Sequence, residues 1–118
     1  MININVNDLK TLDRWVSELP YTERKIENCR RKLDKATTQL EKDRINARIK
    51  SYENFIETCD RVRGKLSKLQ REAYDVRYTT IQLQTWIEVA HDLHISERQA
   101  YRIRHSILAL FAEEIGML

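Results

Sequence analysis

Arg98, Arg102 and His105 stand four and then three residues apart, a spacing that lines them along one ridge of an α-helix. Gln99 and Tyr101 flank that ridge. Forked guanidinium and carboxamide groups near a helix N-terminus are the groups that read base edges in a major groove. Arg104 lies off the ridge and suits a phosphate or a nearby carboxylate. Ser96 forms an S-x-x-Q box with Gln99, the mark of a helix beginning at Glu97. A solvated helical face carries the same residue types. The pattern therefore points to double-stranded DNA only together with the element that presents it.

Other reactive side chains fall short of a catalytic arrangement. His91 and His94 are three residues apart, but no third metal ligand has suitable spacing, so no metal site is expected. Cys29 and Cys59 have no C-x-x-C partner and sit at apolar helical positions, which reads as two buried free thiols. Two separated glycines cannot build a phosphate-cradling loop. Glu113 and Glu114, near the C-terminus, read as solvated charges and not as an acid/base pair. The expectation is a protein that is not an enzyme and uses no cofactor.

The ridge needs an element to hold it. Thr85 and Glu88 form a T-x-x-E capping box, so a short helix should begin at Trp86, eleven residues before the start at Glu97. Leu93-His94-Ile95 leaves room only for a tight turn. Ala90 is small where the two helices would cross, and Ile95, Ala100 and Ile103 are apolar anchors. Ala100, Ile103, Ile107, Leu110 and Phe111 share one arc and should face the core. The expected element is a helix-turn-helix, with Ser96, Arg98, Gln99, Tyr101, Arg102, Arg104 and His105 as its DNA-contacting residues.

From about Leu66 to Leu118 the chain resembles sigma-70 region 4 and, more closely, the sigma-like phage transcription regulators of the RinA/ArpU type. The resemblance is carried by L-x-x-L at Leu66 to Leu69, E-A-Y-D-V-R-Y at Glu72 to Tyr78 and W-I-E-V-A-H-D-L-H-I-S at Trp86 to Ser96. R-Q-A-Y-R-I at Arg98 to Ile103 completes it, matching an S-x-R-Q-x-Y-R-I pattern. It implies promoter binding and activation of phage or mobile-element genes together with host RNA polymerase. Two positions depart from it. His94 stands where glycine is frequent, and the connector Thr79 to Gln84 has no glycine. Two other functions use similar parts, a phage terminase small subunit and a helical adaptor that binds only protein.

Composition fits such a unit on a helical extension. The 118 residues are 33% charged and 42% apolar, with two glycines and one proline, which predicts an all-α chain. No apolar run approaches the roughly 20 residues that span a bilayer, and no signal peptide is evident, so a cytoplasmic protein is expected. Net charge is +3, yet residues 65–118 carry seven Lys and Arg against seven Asp and Glu. Arg61, Arg63, Lys65, Lys68 and Arg71 form a second basic cluster. Modest affinity for each copy then calls for dimerisation or a partner.

Asn7 can cap a helix from Asp8 to about Leu19, with Leu9, Leu12, Trp15, Val16 and Leu19 as its stripe. Neither glycine nor proline interrupts Thr22 to Arg63, a candidate helix of about forty residues. At such length it is expected to be part of a coiled coil or a hairpin. Its stripe changes phase: Ile26, Cys29, Leu33, Ala36, Leu40 and Ala47 share one face, and Ile45, Ile49, Tyr52, Ile56 and Cys59 another. A break near Thr37-Thr38 or Asp43-Arg44 would explain this, as would one long helix with different partners at its ends. The absence of a turn signal favours the unbroken helix. Gly64 sits where a left-handed residue would end it, and Ser67 with Gln70 starts a helix over 68–78. The expected division is a helical arm over 1–64, pairing as a homodimer, and a DNA-binding domain over 65–118.

Overall fold

Side-chain caps set most of the helix starts. In the computed structural model, which describes residues 4–117, Asn5 accepts the Asn7 N–H at 2.8 Å and α1 runs Val6–Val16. The cap thus falls at Asn5, because Asn7 already lies inside the helix. Next, α2 (Leu19–Lys35) carries Pro20 in its first turn, where a missing N–H costs no helical bond. The others are α3 (Gln39–Gly64), α4 (Lys68–Tyr78), α5 (Trp86–Leu93) and α6 (Glu97–Glu114). The described residues contain helices and no strand, so the fold is all-α.

The stretch from Thr22 to Arg63 is not one helix. It stops at Lys35, Ala36 turns extended, and Thr38 accepts the Glu41 N–H at 3.2 Å to start α3. The phase change in the apolar stripe has its cause here: Ile26, Cys29 and Leu33 lie on α2, whereas Leu40 and Ala47, read as the same face, lie on α3. Ile26 and Cys29 of α2 meet Ile49 of α3, and Ile45, Tyr52 and Ile56 pack around them. That part of the stripe is covered within a single chain, while Leu40 and Ala47 are exposed.

Gly64 is not left-handed either. Among the described residues only His94 and Gly116 have positive φ. The end of α3 tightens instead, with Lys65 and Leu66 N–H groups bonding the Val62 and Arg63 carbonyls at 3.0 and 3.1 Å. Ser67 and Gln70 then form a full capping box for α4.

The main core crosses residue 64. Leu12 and Val16 of α1 and Phe55, Cys59 and Val62 of α3 join Tyr74, Tyr78, Trp86, Val89, Ile107, Leu108 and Phe111. Trp15 meets Phe55 edge-on at 4.7 Å, and Tyr74 stacks on Phe111 at 6.4 Å. Burial of each large side chain contributes about 1.5–3 kcal/mol. At ~1.5 Å rise per residue, α3 is about 39 Å long. Its Val62 end lies in the main core, so the end paired with α2 must extend beyond it. The molecule accordingly measures 54 × 30 × 24 Å.

Candidate nucleic-acid interface

Local chemistry fixes the α5–α6 pair. Thr85 accepts the Glu88 N–H at 3.2 Å, and Glu88 accepts the Thr85 N–H at 3.4 Å. At the other end His94 adopts φ 55 and ψ 43, and the Ile95 N–H reaches back to the Ala90 carbonyl at 3.0 Å. Such a left-handed closure reverses the chain in one residue. Ser96 then accepts the Gln99 N–H at 3.1 Å and α6 begins. Val89, Ala90, Ala100 and Ile103 are buried, with Leu93 and Ile95 packed beside them.

That inner packing turns the other face of α6 outward. Ser96, Arg98, Gln99, Tyr101 and Arg102 are all exposed, and Tyr101 retains 46% of its surface. Neither Arg98 nor Arg102 forms an ion pair among the described residues. Glu97 is the carboxylate of that first turn, where the helix dipole favours it. His105, a further turn along, is half-buried. Five of the seven expected residues therefore lie together on open surface.

Arg104 does not. Its Nε sits 3.5 Å from Asp13 Oδ2, an ion pair without hydrogen-bond geometry, and the side chain is 20% exposed. The nearby carboxylate that its position suggested is Asp13. Asp13 is 8% exposed and holds more than Arg104. It accepts the Tyr78 hydroxyl at 2.6 Å and an Arg77 guanidinium N–H at 3.0 Å. Arg77 also donates to the Gln84 carbonyl and stands 5.7 Å from the Tyr78 and Trp86 ring centres. Burial, then the Asp13 charge, pushes the Tyr78 hydroxyl well above its ordinary pKa. These contacts tie α1, α4, the connector over 79–85 and α6 into one knot. Sequence reasoning missed both Asp13 and Arg77. The available signal was a lone carboxylate between Leu12, Trp15 and Val16.

The second basic cluster is largely consumed by carboxylates. Arg63 grips Asp75 with two bonds of 2.8 Å, while Arg61 and Lys65 reach Glu114 at 2.6 and 3.0 Å. The bonds from Arg61 and then Lys65 hold the Glu114 carboxyl below its ordinary pKa. Cys29 and Cys59 are free and buried, and desolvation pushes the Cys59 thiol up to about 12. Among the described residues no three His, Cys, Asp or Glu side chains gather as a metal site, and no helix is long and apolar enough to cross a membrane.

The chain belongs to the family described as "Protein of unknown function (DUF722)", whose model matches residues 5–113. No curated protein and no solved structure matches it.

Proposed function

We propose that this protein is a sequence-specific, double-stranded-DNA-binding regulator of transcription, with α5 and α6 acting as a helix-turn-helix. One observation carries the reading. The first turns of α6 present Arg98, Gln99, Tyr101 and Arg102 to solvent, while the opposite face is buried through Ala100, Ile103 and Ile107. A helix held rigidly from behind, with forked donors at its start, is suited to a major groove. Arg98, Gln99 and Arg102 read bases; Tyr101 and Ser96 touch bases or backbone at the edge, and His105 contributes from the next turn. Arg104 supports the helix through Asp13.

The resemblance to sigma-like phage regulators gives the direction of the effect: activation of phage or mobile-element genes with RNA polymerase, in the cytoplasm of a bacterial host. Two-fold pairing would set two α6 helices about one DNA turn apart. Its rationale is the zero net charge of residues 65–118, not an uncovered arm. A terminase small subunit is the second reading, favoured by the combination of a DNA-binding helix pair with a helical arm.

Purified chain and polymerase on a cognate promoter test the proposal. Transcription is expected to rise, and Arg102→Ala to weaken operator binding by about 1–3 kcal/mol. Unchanged transcription at saturated operator would contradict activation. Closed rings of many subunits in native mass spectrometry would favour packaging.

A further inference from the structure

The surplus positive charge of this chain lies away from α6. Residues 30–50, the tip of the α2–α3 hairpin, carry eight Lys and Arg against three Asp and Glu. Residues 65–118 are balanced. Arg30, Lys32, Lys35, Arg44, Arg48 and Lys50 are all exposed. Among the described residues Arg31 makes the sole ion pair of a tip cation, with Glu27 at 3.0 Å and both side chains mostly exposed. Lys32, Lys35 and Arg44 converge on one shallow depression over Ala36 and Ile45, with Glu41 as its single carboxylate. A fold that paired Arg61, Arg63 and Lys65 with carboxylates gives Lys32, Lys35 and Arg44 no ion pair among the described residues.

We infer that the hairpin tip is a second DNA-binding surface, which grips the phosphodiester backbone of the duplex without reading its sequence. In naming duplex DNA the inference rests on the function proposed above. Along either helix, cations three or four residues apart are spaced by about 4.5–6 Å. A DNA strand offers a phosphate about every 3.4 Å of axis, so each cation in a row meets a charge. An acidic protein surface offers no such continuous row. Anionic membranes favour a basic helix with a broad apolar face, whereas here the seam of Ile26, Cys29 and Ile49 is buried and Leu40 is the exposed large apolar residue of the tip. Binding energy and base reading are thereby divided: the tip supplies salt-sensitive affinity, and α6 supplies discrimination.

The test uses the full chain and a random-sequence duplex, with affinity measured by fluorescence anisotropy across a salt series. The triple variant Lys32→Gln, Lys35→Gln, Arg44→Gln removes exposed charges that make no ion pair among the described residues, and circular dichroism checks that it is folded. Each lost phosphate contact lowers the log–log salt slope by about 0.9, so the slope should fall by about 2–3 and affinity near 0.1 M salt by about ten- to a hundred-fold. The matched variant Lys32→Arg, Lys35→Arg, Arg44→Lys should keep both. Arg98→Ala with Arg102→Ala should abolish preference for the operator yet retain most of the slope. Loss of slope in the triple variant, with no sequence preference in any form, would remove the α6 reading and leave the tip. An unchanged slope in the folded triple variant would overturn the inference. So would retention on phosphatidylserine vesicles that the triple variant loses while its DNA binding stays intact.

Discussion

Asp13 ties α1 to α4 through Arg77 and Tyr78, and to α6 through Arg104. A buried carboxylate facing two guanidinium groups and a phenol is costly to remove, because the cations stay behind without a counter-charge. Asp13→Ala should destabilise the fold by about 3–5 kcal/mol in urea denaturation, with Arg77 and Arg104 left unpaired. Arg104→Ala should lower stability too, yet leave the operator affinity of the folded protein intact. Equal loss of affinity in Arg104→Ala and Arg102→Ala would put Arg104 back among the DNA contacts. Buried acids give a second expectation. Cys59, Tyr74 and Tyr78 all have raised pKa values through burial, so the folded state holds their protons more tightly than the unfolded chain. Their contribution is complete below the ordinary thiol value of 9.0 and is lost as pH rises above it, through about 12 for Cys59. Glu114 works in the opposite sense: its depressed pKa stabilises at neutral pH, and that contribution disappears as pH falls below the ordinary carboxylate range. Melting temperature should therefore decline steadily on the alkaline side from about pH 9. A flat profile to pH 11 would contradict the burial of these groups. The burial of the Cys59 thiol was legible in the sequence. The partners of Asp13 were not, because a lone Asp in an apolar stripe signals burial but names no distant partner.

At the scale of elements, the helix starts that side chains sign were readable and the ends that backbone decides were not. Ser67/Gln70, Thr85/Glu88 and Ser96 all cap the helices their spacing indicated. Thr38-Gln39-Leu40-Glu41 has the same T-x-x-E spacing and caps α3, so the missed hairpin did carry a signal. It was obscured because the stripe's change of phase resembles one helix with two partners, and no glycine marks the reversal. The two helix ends where glycine was at issue trade places. Gly64 is helical, with nothing within 4 Å of an added Cβ, whereas His94 bears the left-handed turn. Gly64→Ala should stabilise by about 0.5–1 kcal/mol through helix propensity and a stiffer unfolded chain. His94→Gly should also stabilise, by up to about 1 kcal/mol, by relieving a left-handed residue that carries a Cβ. Thermal melts of both variants decide it, and a fall in melting temperature for either would contradict the helical Gly64 or the strained His94.

Across the whole molecule, charge and packing divide the chain differently. Packing joins α1 and the end of α3 to α4, α5 and α6 in one core, whereas charge separates a cationic hairpin tip from a neutral helix-pair region. The all-helical class follows from composition, and the inward arc of α6 from its spacing: Ala100, Ile103, Ile107 and Phe111 are buried, with Leu110 partly so. A core that crosses residue 64 could not be foreseen, because Leu12, Val16 and Phe55 reach it through pairings far apart in sequence. The central claim is that α6 reads DNA sequence, and selection of bound duplexes from a random pool by the full chain tests it most directly. The account predicts enrichment of one short motif by the native chain, and its disappearance with Arg98→Ala and Arg102→Ala together. A folded native chain that enriches no motif, or a motif that survives both substitutions, would contradict it.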